Sequence, residues 1–316
     1  MDPDDRRPDP DPATTPLVRW QWVRLRRHVH WARTEGVARL IEEDQLDPLG
    51  RIPLAVRKAW WRRSHDYRPQ AVPVFLVGVQ RSGTNMLVRG IERSLGFEVR
   101  NENDGAAFER FRLRSDEVIR SIVVESKHAF VLFKPLCDSH RVVELLDDLG
   151  TPSAGRAIWE YRGFEGRVRS SIAKFGDSNL RALRVIAAGR GEHLWQAGGL
   201  SARALEQIRS FAFDHMSPAS ASALFWYVRN SLYFDLELDR RDDVRLVSYD
   251  AMIADPDRTM RGLCAFLGVT YRPEFIGHIR PRTSQDRAAM AVDPKIATLC
   301  ESLQERLAAA TGMGRP

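Results

Sequence analysis

From residue 72 onward, short apolar runs alternate with longer segments whose apolar residues recur at helical spacing. Several of the short runs are apolar throughout, which is typical of parallel strands covered on both faces. Alternation of strands and helices predicts an α/β fold with three layers around a central, mostly parallel sheet. The predicted strands are Val72–Val79, Phe97–Arg100, Phe130–Lys134, Ala157–Arg162 and Val244–Tyr249.

Helices are predicted between these strands, for example over Ser139–Leu149 and Pro256–Leu267. The second has clear end signals, because Asp255 can cap its N-terminus, its proline fits the first turn and Gly268 can stop it. The stretch 175–243 is also largely helical in pattern.

Residues 17–70 differ in composition and predict a separate helical appendage. They hold five of the eight tryptophans, interleaved with arginines. Their aromatic face either packs on the main domain or lies at an interface with anionic lipid or a lipid-like acceptor. We favour packing, because tryptophan is more often packed than lipid-facing in a soluble chain. The tryptophans are Trp20, Trp22, Trp31, Trp60 and Trp61.

The net charge of +6 is local. Residues 18–68 contain 12 Lys/Arg and 6 Asp/Glu, an excess of 12 − 6 = 6 that accounts for it. The basic balance is therefore weak evidence for nucleic-acid binding, and we expect no nucleic-acid partner.

Several features predict a soluble, cytoplasmic protein. No apolar run is long enough to span a membrane, and the acidic, proline-rich residues 1–16 resemble a disordered tail rather than a signal peptide. The cysteines, Cys137, Cys264 and Cys300, are widely spaced in apolar surroundings. We expect buried thiols in a reducing compartment and no metal site.

The strand that begins at Val72 ends in the sequence GVQRSGTNML, from Gly78 to Leu87. A strand, a glycine-bounded loop and a helix N-terminus form an anion cradle of backbone N–H groups. The Walker pattern requires Lys and then Ser/Thr after the second glycine, whereas Thr84 and Asn85 follow Gly83 here. The loop cation is instead Arg81. The apolar face of the following helix is predicted to contain Leu87, Val88, Ile91 and Leu95, with Gly96 at its end.

Three further cationic or polar groups follow predicted strands. Lys134 ends the run FVLFK, and Arg162 ends a strand with Ser170 eight positions later. If a helix starts after Gly163, Arg162 and Ser170 can close on one anionic group.

Together these elements resemble the sulfotransferases that use 3′-phosphoadenosine 5′-phosphosulfate (PAPS). The loop is similar to the family's 5′-phosphosulfate element, and Arg162 with Ser170 keeps the spacing of its 3′-phosphate element, although Phe164 replaces a frequent proline. Lys134-Pro135 and the segment from Tyr249 to Val269 are similar to further family elements. The resemblance covers residues 72–280 and implies a P-loop-like sulfotransferase fold over 71–316.

The resemblance assigns roles residue by residue. It places the 5′-phosphosulfate at Arg81, Ser82, Gly83, Thr84 and Asn85, with Asn85 departing from the usual hydroxyl residue. It places the 3′-phosphate at Arg162 and Ser170, charge neutralisation at Lys134, and the adenine near Tyr249. The implied co-substrate is PAPS, with no metal, because the transferred group carries one charge fewer than a phosphoryl group.

An alcohol or phenol acceptor needs a general base. Glu102 is the first candidate, since it follows the second strand at a spacing like that of family members using a glutamate. Asp104 is the neighbouring alternative. His140 is the other, although a histidine on a solvated helix surface is the simpler interpretation.

The sequence therefore predicts transfer of a sulfuryl group to a hydroxyl, or alternatively an amine. The acceptor's identity is not readable: a carbohydrate, a phenolic or other small molecule, a lipid and a peptide all stay open, as does the oligomeric state. The stretch 175–243 is expected to form the acceptor side. Two other functions compete: a P-loop-like nucleotide kinase or NTPase with an altered loop, and a non-catalytic binding protein with the same fold.

Overall fold

A computed structural model describes residues 48–64, 70–280 and 290–312 of the chain. The chain divides into two compact units, Met1–His65 and Asp66–Pro316. In the first unit the described part is one helix, α1 (Pro48–Ser64), so this part of the predicted appendage is helical. The predicted tail at 1–16 and the segment with Trp20, Trp22 and Trp31 lie outside the described residues.

The second unit is built on a five-stranded parallel sheet, which confirms the predicted α/β fold class. The strands lie in the order β2-β5-β1-β6-β7, so the first strand is central. A separate two-stranded antiparallel hairpin, β3 with β4, was not predicted. The strands are β1 (Val72–Gly78), β2 (Phe97–Arg100), β3 (Phe108–Glu109), β4 (Arg112–Leu113), β5 (Phe130–Phe133), β6 (Arg156–Tyr161) and β7 (Val244–Ser248).

Helices cover both faces of this sheet. They are α2 (Thr84–Ile91), α3 (Asp116–Glu125), α4 (Val142–Asp147), α5 (Phe164–Phe175), α6 (Ser178–Ala187), α7 (Ala202–Arg209), α8 (Pro218–Asp235), α9 (Tyr249–Ala254), α10 (Pro256–Leu267) and α11 (Pro294–Gly312). The described part of the unit also contains four short 3-10 helices: Leu136–Arg141, Trp195–Ala197, Leu238–Arg240 and Pro273–Phe275.

Alternate residues of β1 enter two separate hydrophobic cores. Phe75 and Val77 pack with α3 to α8 and α11 on one face. Val74 and Leu76 pack with α2, α9 and α10 on the other. Because successive strand side chains point to opposite faces, a strand covered on both sides is apolar throughout. This explains the continuous apolar runs in the sequence.

Most predicted element ends agree with the structure to within one residue. The helix at Pro256–Leu267 is as predicted, with the Asp255 carboxylate accepting the Arg258 N–H at 3.1 Å and Gly268 in the left-handed region at φ 66°. The helix after the loop is shorter than predicted, because α2 ends at Ile91 rather than near Leu95.

The predicted helix at Ser139–Leu149 is also different in the structure. It is a 3-10 helix over Leu136–Arg141 followed by α4. Asp138 departs from helical backbone angles at φ −111° and ψ 18°, which separates this segment from a regular α-helix.

All three cysteines are free and buried, as predicted. Within the described ranges, none of the helices is long and apolar enough to cross a membrane.

Candidate active site

The anion loop, residues 79–83, connects β1 to α2 at the carboxyl edge of the sheet. Its strand is central and pairs with β5 on one side and β6 on the other. Ligands in open α/β sheets bind outside this edge. Residues that follow β5 and β6, among them Lys134 and Arg162, therefore lie beside the loop although they are distant in sequence.

Backbone conformation and close approach fix both glycines of the loop. Gly78 and Gly83 have φ values of 131° and 109°, in the region that favours glycine. A Cβ at Gly83 would lie 2.1 Å from Cδ2 of Tyr249, and one at Gly78 would lie 2.3 Å from the carbonyl oxygen of Glu160. The loop is thus packed tightly on the ends of β6 and β7, and either side chain would displace it.

Arg81 also has a positive φ, 73°, which is uncommon for a residue with a side chain. Such conformations concentrate at functional sites, where the surrounding structure holds them in place. Its Nε donates a hydrogen bond of 2.9 Å to Oγ of Ser170, on α5. The loop cation and the predicted 3′-phosphate element, 89 residues apart, are therefore in direct contact.

Lys134 lies on the other side of the loop and is 6% exposed. Its Nζ donates to Oδ1 of Asn85 at 2.6 Å and lies 3.5 Å from Oε2 of Glu102. The Lys134 N–H donates to the Arg100 carbonyl, which extends the pairing of β2 and β5 and brings the chain after β2 to the site. The structure thus joins the loop, the lysine and the first candidate base.

The Glu102 carboxylate is suited to accept a proton. Its side chain is 16% exposed, and burial raises its pKa, against the opposing effect of Lys134. A carboxylate with a raised pKa is a stronger base when ionised. Of the three candidate bases, Glu102 is the one in contact with Lys134 within the described part of the chain.

Asp104 is occupied elsewhere. It forms an ion pair of 2.9 Å with Arg100, and its other oxygen accepts the N–H of Ala106 at 2.9 Å. These contacts hold the turn after β2, which is a structural role.

His140 does not lie on a solvated surface, so this interpretation is wrong. It is half-buried, and a Cβ at Gly198 would lie 2.7 Å from its ring. Burial, together with the charges of Arg229 and Arg112, lowers the pKa of His140 to about 4. The ring is therefore neutral at pH 7.

Arg162 and Tyr249 form a stacked pair on the β6 side of the loop, opposite to Lys134 on the β5 side. The Arg162 guanidinium lies 4.7 Å from the centroid of the Tyr249 ring, in cation–π geometry. The Arg162 carbonyl accepts the indole N–H of Trp226 at 2.8 Å. Tyr249 in turn packs on Gly83, so Arg162 is held beside the loop. The anion-loop cluster comprises Arg81, Ser82, Lys134, Arg162 and Ser170.

Within this cluster Ser82 is fully buried. Its hydroxyl has no hydrogen-bond partner in the described part of the chain. Buried hydroxyl groups are normally hydrogen-bonded, so an orphaned one inside an anion loop fits a ligand oxygen as its missing partner.

Sequence reasoning missed two residues that hold the loop. Arg167, 1% exposed, donates from Nε to the Gln80 carbonyl at 3.2 Å and from Nη1 to Oγ of Ser222 at 3.0 Å. Ser139 Oγ both donates to the Gly78 carbonyl and accepts its N–H, each at 3.0 Å. A signal for Arg167 existed, because it occupies the apolar helical stripe that also contains Phe164 and Val168.

Glu160 was also missed. It is a carboxylate inside the buried strand β6 and is 0% exposed. A charged residue in an apolar run was a signal available in the sequence, since acidic side chains are almost never fully buried without a partner.

A second group of polar residues lies next to the loop and is called here the Cys137 cluster: Cys137, Asp138, His140 and Arg229. The Gln80 amide donates to Sγ of Cys137 at 3.6 Å, which connects the cluster to the loop. The carboxylate of Asp138 accepts the Leu113 N–H at 2.7 Å and the Arg112 Nε.

Arg229, on α8, is 2% exposed and only partly satisfied. Its Nη1 donates to the Gly198 carbonyl at 2.6 Å, and its guanidinium lies 5.7 Å from the Trp195 ring centroid. Its Nη2 and Nδ1 of His140 are buried without hydrogen-bond partners among the described residues. Part of the stretch 175–243 therefore lies near the loop, and its role on the acceptor side stays a prediction.

No protein-family model matches this chain, and no curated protein matches it. Solved structures that are similar to it include three sulfotransferases or sulfotransferase domains. The sulfotransferase from Alicyclobacillus acidocaldarius is 16% identical, with a TM-score of 0.38, over 78% of this chain and 94% of that one. The sulfotransferase domain from the curacin biosynthetic pathway is 14% identical, with a TM-score of 0.42, over 79% and 100%.

The sulfotransferase domain of the Synechococcus PCC 7002 olefin synthase is 11% identical, with a TM-score of 0.35, over 80% of this chain and 99% of that one. At such low identities and TM-scores, these similarities by themselves support no function. A functional conclusion has to rest on the residues of the site.

Proposed function

We propose that this protein is a sulfotransferase that moves the sulfuryl group of PAPS to a hydroxyl, or alternatively an amine, of an acceptor. The observation that carries the proposal is the contact between Arg81 and Ser170. It joins an anion loop without the Walker lysine to a second anion-binding element that contains Arg162.

The residues present fit a donor with two separate anionic ends. The loop N–H groups, the orphaned Ser82 hydroxyl and Arg81 suit one phosphate group. Arg162, stacked on Tyr249 at the end of β6, suits the other. Two cationic sites on neighbouring elements favour a 3′,5′-bisphosphate nucleotide over a 5′-monophosphate.

Lys134 and Glu102 are suited to the chemical step. PAPS supplies the sulfuryl group, and its bond to the leaving phosphate oxygen breaks as the bond to the acceptor oxygen forms. Lys134 stabilises the charge that develops on the leaving oxygen. Glu102 accepts the proton of the acceptor hydroxyl, so that the acceptor leaves as a sulfate ester.

The pH dependence of the rate follows from Glu102. Because burial raises its pKa, the carboxylate becomes protonated, and the base is lost, as pH falls through a value above the ordinary glutamate pKa. Lys134 opposes this shift, so removing the lysine moves the acidic limb of the rate profile to higher pH.

The proposal is tested by incubating the protein with ³⁵S-labelled PAPS and an extract of the producing cells, and by identifying sulfated products with mass spectrometry. We expect labelled products with the wild type and almost none with Lys134→Ala. Lys295→Ala, at an exposed position on α11, is the matched control. Donor binding without any labelled product would favour a non-catalytic binding protein instead.

A further inference from the structure

Glu160 lies directly beneath the anion loop. It is paired with Gly78 in the register of β1 and β6. Its Oε1 lies 2.9 Å from the position that a Cβ would take at Gly83. The mechanism proposed above does not use this carboxyl group, although it is one of the acidic groups nearest to the loop.

Among the described residues, the carboxyl group has no hydrogen-bond partner that would stabilise a negative charge. It is 0% exposed, and neither oxygen has a hydrogen-bond partner within the described ranges. The positive charge of Lys134 opposes the effect of burial, but its ammonium group already contacts Asn85 and Glu102. Burying an unpaired carboxylate is costly, so the group takes up a proton instead. Burial accordingly raises the pKa of Glu160 well above its ordinary value.

A ligand anion in the loop would face this group across one glycine. If Glu160 were ionised, its buried negative charge would lie close to that of the anion, and repulsion is strong where burial limits screening by water. If Glu160 is neutral, this repulsion is absent. The state of the carboxyl group therefore determines how well the loop holds an anion.

We propose that Glu160 couples anion binding to proton binding. The loop binds its anion while Glu160 is protonated, and ionisation of Glu160 lowers the affinity of the loop for the anion. That the natural anion is the sulfuryl donor rests on the function proposed above. The coupling itself applies to any anion in the loop. The direction of the pH dependence is fixed, because a bound anion raises the pKa of Glu160 further. The affinity for the anion then falls as pH rises above the pKa that Glu160 has in the ligand-free protein.

Few other described groups around Glu160 can produce this pH dependence of anion binding. The charged or titratable neighbours are Lys134 after β5 and Tyr249 at the start of α9, with Arg162 following on its own strand. These neighbours are unchanged in Glu160→Gln, so a pH dependence that they cause would persist in that variant. Glu102, which contacts Lys134, is a second carboxyl group near the loop and needs a control.

The test measures binding of 3′,5′-bisphosphoadenosine and of inorganic sulfate by calorimetry from pH 6 to pH 9, with EDTA present. Sulfate remains a dianion throughout, so it contributes no titration of its own. For the wild type we expect the dissociation constant of sulfate to rise by up to about tenfold per pH unit above the Glu160 pKa. Repeating the titration in buffers of different ionisation enthalpy should show net proton uptake.

Glu160→Gln should bind sulfate with an affinity that changes less than about twofold over this range, and without proton uptake. Glu102→Gln is the matched control and should keep the wild-type slope. A wild-type affinity independent of pH, without proton uptake, would overturn the proposal, and so would a slope that persists in Glu160→Gln. The wild-type proton uptake decides the matter even if that variant fails to fold.

Two outcomes separate this inference from the proposed function. If sulfate shows the coupling while 3′,5′-bisphosphoadenosine fails to bind, the donor is wrong and the coupling stands. If Glu160→Gln alters binding only when Mg²⁺ replaces EDTA, Glu160 acts as a metal ligand and the coupling is wrong.

Discussion

The anion-loop cluster and the Cys137 cluster are neighbours, yet only the first could be found in the sequence. Most residues of the first belong to one short loop or directly follow strands that pair with the loop's own strand, and Ser170 keeps a fixed spacing from one of them. The second combines a 3-10 helix after β5 with Arg229 from the middle of α8, a residue with no local motif. A site built at strand ends is readable from sequence, whereas one built by packing distant helices is not.

The clusters also differ in how their buried groups respond to pH. In the anion-loop region, burial raises the pKa of Glu160, so stability is lost as pH rises above the ordinary glutamate pKa. In the Cys137 cluster, burial lowers the pKa of His140, so stability is lost as pH falls from its ordinary value. One side of the site is adapted to hold an anion and the other to keep a histidine neutral.

The largest effect should come from Lys134→Ala. Removing a cation that stabilises the leaving oxygen should lower turnover by about 10²–10³-fold, with a smaller change in donor affinity. Turnover with labelled PAPS measures this, with the exposed Lys295→Ala as control. The acidic limb of the rate profile should also move to higher pH, because Lys134 lowers the pKa of Glu102. An unchanged limb would mean that Glu102 is not the base.

Gly83→Ala should weaken binding of 3′,5′-bisphosphoadenosine by about 100-fold or more, since each 1.4 kcal/mol of strain in the bound state raises the dissociation constant about tenfold. The new Cβ would collide with Tyr249 at a positive φ, so the loop has to move. Gly105→Ala is the matched control, because nothing lies within 4 Å of the added atom there. Equal affinities in the two variants would show that the loop does not hold the ligand.

Arg162→Ala should weaken binding of 3′,5′-bisphosphoadenosine by about 10–100-fold, which is the range for losing a charge-assisted hydrogen bond. AMP, which has no 3′-phosphate, should bind the variant and the wild type alike. Arg261→Ala, on α10 with its side chain 59% exposed, is the control. An equal loss for both nucleotides would mean that Arg162 maintains the fold of the site rather than contacting the 3′-phosphate.

The smallest effect concerns the Cys137 cluster. The folded pKa of His140, about 4, lies below the unfolded value, so the unfolded chain binds more protons between them and stability falls as pH falls. His140→Asn should reduce the drop in Tm between pH 7 and pH 5 by about 3 °C. His193→Asn, at an exposed position, is the control for thermal melts. An identical drop in both variants would place His140 in a solvated environment.

The sequence predicted the strands to within about one residue because their apolar runs and the following glycines are local signals. It also singled out Arg81, Lys134, Arg162 and Ser170 as candidates, since each lies in the loop, follows a strand or keeps a fixed spacing. It could not reveal that Arg81 contacts Ser170, or that Arg167 and Ser139 hold the loop, because these contacts depend on tertiary packing. The hairpin of β3 and β4 was missed because strands of two residues have no periodicity to detect.

The most direct test compares 3′,5′-bisphosphoadenosine with AMP by calorimetry on the wild-type protein, in EDTA. The two ligands differ only in the 3′-phosphate, for which Arg162 and Ser170 are the proposed site. We predict that the bisphosphate binds at least about 100-fold more tightly, as expected when an arginine and a hydroxyl make charge-assisted hydrogen bonds to the added phosphate. Equal affinity for the two nucleotides, or binding that requires Mg²⁺, would contradict a PAPS-dependent sulfotransferase.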